Sequence, residues 1–176
     1  MTDIQKQALA AGFTHTAPLD ISTIRLKPEV RQMCAGGNCR QYGMRWSCPP
    51  GCGELETLEQ RIFQYHKGIL VQTVGQLEDA FDGEGMLEAE QSHKSYLLAL
   101  QAVLLPLYPR LLTIGAGCCT QCKTCTYPDA PCRFPEKQIA SMEAYGMEVA
   151  EVCRRNGLPY HHGPNSITYT SCFLLE

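Results

Sequence analysis

Nine of the eleven cysteines lie in two short segments, and this clustering constrains the fold more than any other feature of the sequence. Residues 31–53 contain four of them and residues 118–135 contain five. The first residues lack the basic start and apolar run of a signal peptide, so we expect a soluble, cytoplasmic protein. Because a reducing cytosol disfavours disulfides, thiols spaced this closely indicate metal or redox chemistry.

The second cysteine loop, residues 118–135, has the spacing of an iron–sulfur site. Cys119, Cys122 and Cys125 are separated from one another by two residues, and Cys132 follows. A tight loop with this rhythm can place three thiolates on three corners of one cubane, and a more distant cysteine closes the fourth. Structural zinc sites usually combine two close pairs across a longer arm, and zinc remains the alternative metal. The spacing predicts a 4Fe-4S cluster on these four cysteines.

The first cysteine loop, residues 31–53, carries Cys34, Cys39, Cys48 and Cys52 at wider and irregular spacing. Its glycines and prolines predict little regular secondary structure. Four thiols so close in sequence exceed what packing needs, and Trp46 between them could shield a cluster from water. A second 4Fe-4S cluster and a zinc ion are both compatible with this loop.

Three cysteines are interpreted as packing residues. Cys118 could replace Cys119 in the second loop, but the even spacing favours Cys119. Cys118 then resembles a small apolar residue at a strand end, where free cysteine often packs. Cys153 and Cys172 each stand alone in an apolar segment, and packing explains both.

The rest of the chain alternates helical and strand patterns. Helical patterns cover residues 3–11, 54–66, 84–105 and 141–155, the last with an interruption at Gly146, and strand patterns cover 69–74, 111–114 and 167–174. Asp82 is placed to cap the third helix and Pro106 to end it. A right-handed crossover would make the first two strands parallel. We predict one domain over residues 1–176, of α/β or α+β class, in which a small mixed sheet carries packed helices and two cysteine-rich, cluster-binding loops.

The charge and hydropathy patterns exclude several classes of partner. The net charge is -3 and no run of Lys and Arg stands out, so a nucleic-acid partner is not expected. The best apolar stretch, residues 96–107, is too short for a membrane span and contains Gln101 and Pro106. The expected partner is a redox protein or a small molecule.

Two runs of residues carry a resemblance to a known family. They are Cys39, Tyr42-Gly43, Trp46 and Cys48-Pro49-Pro50 in the first loop, and Cys119-Thr120-Gln121-Cys122-Lys123-Thr124-Cys125-Thr126-Tyr127-Pro128 in the second. Together they resemble the prokaryotic family of predicted metal-binding, cysteine-rich proteins of unknown function. In the family pattern cysteines recur at the positions of Cys34, Cys39, Cys48, Cys119, Cys122, Cys125 and Cys132, whereas other residues usually replace Cys52 and Cys118. The resemblance implies metal binding by these seven cysteines and an association with anaerobic metabolism, and it implies no reaction.

Three functions are consistent with the sequence. The first is electron transfer through a 4Fe-4S cluster. The second is an enzyme in which three thiolates of the first loop leave one iron open, so that the cluster acts as a Lewis acid or as a reductant for a small molecule in a polar pocket beside Cys48. The third is a zinc-stabilised interaction module. No nucleophile–base pair is visible, so no catalytic residue is assigned. His161-His162 either supplies a ligand or a proton donor, or lies in a solvated turn.

Overall fold

The chain forms a four-stranded antiparallel sheet with helices on both faces, an α+β architecture. The computed structural model describes residues 1–37 and 39–176, so residue 38 of the first cysteine loop lies outside the described residues. The elements are α1 (Asp3–Ala10), β1 (His15–Leu19), α2 (Pro28–Ala35), α3 (Leu55–Ile62), β2 (Lys67–Gln76), α4 (Gly83–Leu104), β3 (Leu111–Ile114), α5 (Val149–Arg155) and β4 (Ser166–Leu175), with 3-10 turns at Ile21–Thr23 and Pro135–Lys137.

The strands are ordered β1-β2-β4-β3, and all three pairings are antiparallel. The predicted mixed sheet is therefore antiparallel, because the last strand, β4, inserts between β2 and β3. As a result β2 and β3 run in the same direction, as a crossover requires, but they do not pair. The sequence patterns missed β1, which contains Pro18; an edge strand tolerates proline because one of its sides needs no hydrogen bonds.

Successive apolar side chains of the two central strands, β2 and β4, point to opposite faces of the sheet, so both faces are buried. Leu70 and Leu174 face a cluster that includes residues of α3 and α5, whereas Val71 and Phe173 face α1 and α4. Cys153 and Cys172 are fully buried in the first cluster, which confirms that they are packing residues.

Two helices follow their sequence signals closely. Thr2 and Gln5 form a capping box at the start of α1. The Asp82 side chain accepts a hydrogen bond from the Gly85 N–H at 2.8 Å, and α4 ends at Leu104, before Pro106. Within the described part of the chain, even the longest helix lacks the apolar length that a membrane span requires.

Two helices differ from the prediction. The helix predicted for 141–155 begins only at Val149, because the chain turns at Gly146, whose φ of 79° lies in the left-handed region. A Cβ at Gly146 would lie 3.0 Å from the Lys27 carbonyl oxygen, so this turn also packs against the start of α2. The first cysteine loop was expected to lack regular structure, but α2 extends into it from Pro28, a residue suited to the first turn of a helix.

The fold buries one histidine completely, and this predicts a pH dependence of stability. His93 of α4 bonds Thr73 Oγ1 at 2.9 Å and Ser171 Oγ at 2.7 Å. Burial, aided by the Lys94 charge, lowers the pKa of His93 to about 3. The unfolded chain takes up this proton below about pH 6.5 and the folded chain does not, so stability falls as the pH falls.

We expect the free energy of unfolding to fall by about 2 kcal/mol more between pH 7 and pH 5 in the wild type than in His93→Gln, because only the wild type carries this titration. Urea unfolding at the two pH values measures the difference. Equal losses in the two proteins would contradict a neutral His93.

Candidate metal centre

The four predicted ligands of the second cysteine loop border one cavity. Cys119, Cys122, Cys125 and Cys132 all line it. The remaining walls come from both loops and from the segment after them, namely Arg45, Trp46, Ser47, Gln121, Phe134 and Gln138. The loop begins shortly after β3 ends, so the edge of the sheet anchors its first residues. The sequence spacing thus corresponds to a shared position in space.

A tripeptide of the first loop, Arg45-Trp46-Ser47, fastens the two loops together and is called the bridging tripeptide. Ser47 Oγ accepts a hydrogen bond from the Cys119 N–H at 3.1 Å, and Arg45 Nη1 donates to the Cys119 carbonyl at 3.1 Å. Trp46 Nε1 donates to the Ala130 carbonyl at 3.0 Å. The first loop therefore supplies part of the wall around the cysteines of the second.

Trp46 shields a different loop from the one expected. The sequence placed it among the cysteines of the first loop, but its ring packs edge-on against Tyr127 with the ring centroids 4.9 Å apart. It also lines the cavity of Cys119, Cys122, Cys125 and Cys132. Aromatic walls limit the access of water to a metal site and so affect its redox potential.

Cys125 lies where a thiolate is stabilised. Burial opposes ionisation, but the backbone N–H groups of Tyr127 and Trp46 and the charge of Arg45 outweigh it and hold the pKa of Cys125 below its ordinary value. Hydrogen bonds from backbone N–H groups to ligating sulfurs are one of the means by which proteins adjust iron–sulfur clusters. Arg45 was not identified from the sequence, because Cys119, whose carbonyl it bonds, lies more than seventy residues away.

The thiols of the first loop form a second neighbourhood around Cys48. Burial raises the pKa of Cys48 to about 11, and the Ser47 hydroxyl, 3.8 Å from its sulfur, opposes the shift. The nearby charges of Cys118, Cys39 and Cys52 raise this pKa further. Cys118, interpreted from the sequence as a packing residue, is only partly buried, and its charge acts on Cys48.

Cys34 and Cys52 complete this neighbourhood, but they differ in their contacts. Burial and the charge of Cys39 raise the pKa of Cys34, and burial also raises the pKa of Cys52. The Cys52 sulfur accepts from Arg31 Nη2 at 3.8 Å and donates to the Ala144 carbonyl at 3.7 Å, and it packs against the core. Cys52 is thus engaged by protein groups, which matches its departure from the family pattern.

The donor set fits a thiolate-bound metal group. Among residues 1–37 and 39–176, no three Cys, His, Asp or Glu side chains converge as ligands of a single metal ion. The second loop nevertheless offers four thiols around one cavity, a thiol with a lowered pKa and a flanking guanidinium from Arg45. These are the groups that an anionic, sulfur-ligated cluster requires.

Other candidate residues lie apart from both sets of thiols or serve another purpose. Arg133 follows Cys132 in the chain and so could compensate the charge of a cluster; its Nη1 donates to the Thr124 carbonyl at 2.9 Å, which stabilises the second loop. His162 stacks on His15 with ring centroids 4.5 Å apart and bonds Gln72 Oε1 at 3.2 Å. The structure brings neither histidine of the His161-His162 pair among the cysteines that line the cavity.

A family model for predicted metal-binding proteins, DUF2284, matches residues 17–175. The match covers both cysteine loops and all four strands except the first two residues of β1. The chain therefore belongs to this family, and metal binding is the property that the family description gives. No curated protein and no solved structure gives a match.

The contact between the two loops predicts that Gly51 admits no side chain. A Cβ there would lie 2.7 Å from the Arg45 carbonyl oxygen and 2.8 Å from Tyr127 Cε2. Gly51→Ala should force the loops apart, destabilise the protein by about 1–3 kcal/mol and lower its metal content. Thermal unfolding and metal analysis measure both effects.

Gly36→Ala is the matched control, because the nearest atom to its Cβ, the Met33 carbonyl oxygen, lies at an ordinary 3.5 Å. Equal behaviour of the two alanine variants would contradict the close packing of the loops.

Proposed function

We propose that the chain holds a 4Fe-4S cluster on Cys119, Cys122, Cys125 and Cys132 and transfers electrons to a partner. The observation that carries this proposal is the single cavity that all four cysteines line, which Trp46 and Phe134 help to enclose. When bound, such a cluster supplies one-electron chemistry. The chain contributes the hydrogen bonds to Cys125 and the neighbouring charge of Arg45, both of which favour the reduced, more negative state.

The surface around the cysteine loops supports docking of a redox partner. Met33, Tyr42 and Met44 of the first loop and Phe134 of the second loop are exposed apolar side chains, Met33 by 74% and Met44 by 61%. Exposed apolar side chains beside a metal site are candidate contacts for a partner. Phe134 also lines the cavity of the second loop, so a partner bound at this surface would lie close to the cluster.

The first loop supports a second thiolate site on Cys34, Cys39 and Cys48. Two candidates for its occupant are a second 4Fe-4S cluster and a zinc ion. Three cysteine ligands on a cluster would leave one iron open to a small molecule, and this is the basis of the alternative, enzymatic function. The polar pocket was expected beside Cys48; the polar cavity at this loop is lined by Cys52 and not by Cys48, and it is the specific observation that favours this function.

The cluster proposal predicts opposite results for two buried or partly buried cysteines. Cys125→Ser should lose one cluster's worth of iron and sulfide, because serine removes a thiolate that the loop has organised. Cys153→Ser should keep both, since Cys153 lies in the core beside Gln72 Nε2 and Thr170 Oγ1, which a serine hydroxyl can also bond. Iron and sulfide per chain, measured after purification without oxygen, distinguish the two. Full iron content in Cys125→Ser would contradict the assignment.

The proposed site in the first loop predicts different metal contents for two cysteine variants. Cys48→Ala should lose the metal of this loop, because Cys48 is buried among the other thiols. Cys52→Ala should retain it, because the Cys52 sulfur bonds Ala144 and Arg31. Metal analysis of both variants in a Cys125→Ser background isolates the first loop. Loss of the same metal in Cys52→Ala would show that Cys52 is a ligand and that the site is closed.

A further inference from the structure

A polar cavity of about 210 Å³ lies between the two cysteine loops and the free edge of the sheet. Gly51 and Cys52 border it from the first loop, and Gln138, which also lines the cavity of the second loop, borders it from the other side. Arg61, Thr113 and Tyr145 supply further polar walls. The volume is below the roughly 300 Å³ at which pockets for drug-sized ligands begin, so its occupant is small.

The charge of this cavity is positive. Arg61 of α3 lines it, and no Asp or Glu occurs among its described lining residues. Within residues 1–37 and 39–176 the Arg61 guanidinium has no carboxylate partner within 4.0 Å. A guanidinium with free N–H groups binds carboxylates and other oxyanions in preference to neutral ligands.

The Tyr145 hydroxyl provides a second donor. Its oxygen accepts from Arg61 Nη1 at 3.5 Å, and no described group accepts the phenolic hydrogen. Tyr145 is almost fully buried, and burial raises its pKa although Arg61 opposes the shift, so the phenol keeps its hydrogen at neutral pH. The hydrogen is therefore available to a ligand in the cavity.

The edge of β3 provides a third donor at Thr113. Arg110 and Glu176 exchange both of their backbone hydrogen bonds, so Thr113 falls at a position where its own N–H and C=O point away from β4. Two residues later, at Gly115, another segment of the chain pairs with this edge, since the Gly115 N–H donates to the Ala140 carbonyl at 2.8 Å. The Thr113 N–H thus lies on the uncovered side of β3, and Thr113 itself lines the cavity.

We infer that this cavity binds a small oxyanion, of the size of a short carboxylate, nitrate or inorganic phosphate. The anion is held by the Arg61 guanidinium, the Tyr145 hydroxyl and the Thr113 N–H. The site lies beside Cys52 of the first loop. The inference does not depend on which metal the loops hold.

Calorimetric titration of the intact, metal-loaded protein with acetate, nitrate and inorganic phosphate tests the inference, with chloride used to hold the ionic strength constant. At least one of these anions should bind saturably with one site per chain. Arg61→Gln should weaken that binding by about tenfold or more, because it removes a charge-assisted hydrogen bond. Tyr145→Phe keeps the ring and should weaken it by about threefold to tenfold.

Arg154→Gln is the control, since Arg154 is exposed on α5 and lies outside this cavity. Binding should also produce a tyrosine ultraviolet difference spectrum that Tyr145→Phe abolishes. Failure of all three anions to bind, or a dissociation constant that Arg61→Gln leaves unchanged, would overturn the inference. Weakening by Arg61→Gln with no effect of Tyr145→Phe would place the anion on the outer surface and would also contradict it.

Discussion

Cys119 is held through its backbone by two side chains of the first loop, and the candidate metal centre depends on this contact. The Cys119 N–H donates to Ser47, and the Cys119 carbonyl accepts from Arg45. These hydrogen bonds connect segments more than seventy residues apart, at the start of the series of cysteines in the second loop. Ordering the second loop, residues 118–135, costs conformational entropy. The hydrogen bonds of the bridging tripeptide offset part of that cost before any metal binds.

The sheet sets where this contact forms. β3 is an edge strand, so the chain leaving Ile114 is free to fold back across the sheet end instead of entering another strand pair. The Gly115 N–H and C=O bond Ala140 and Met142, which returns the chain to the edge after the second loop. The loop is therefore anchored at both ends. Thr113, on the uncovered stretch of the same edge, lines the polar cavity beside Cys52.

The sequence predicted the elements whose signals are local. Asp82 and Pro106 bound α4, and the apolar run at 111–114 is β3 itself. The sequence patterns did not predict the features that depend on tertiary contacts. Gly146 breaks a helical pattern because the chain must pass close to Lys27, and β4 separates two strands that follow one another in the chain.

In the candidate site, too, local spacing predicted some features, whereas others depend on tertiary contacts. The even spacing of Cys119, Cys122 and Cys125 identified a set of thiols that the structure brings to one cavity. The spacing could not reveal Arg45, whose charge reaches Cys125, or Cys118, which lies near Cys48. Trp46 shows the limit most clearly. Its position among the first-loop cysteines suggested one role, and its contacts with Tyr127 and Ala130 assign it to the other loop.

The central claim is that the second loop holds an iron–sulfur cluster. Purification of the wild-type protein without oxygen, followed by iron, sulfide and zinc analysis and a visible spectrum, tests it most directly. The account predicts a brown protein with about four iron and about four sulfide per chain, or about eight of each if the first loop also holds a cluster, and a visible absorbance that bleaches on reduction. A colourless protein with stoichiometric zinc and no sulfide would contradict it.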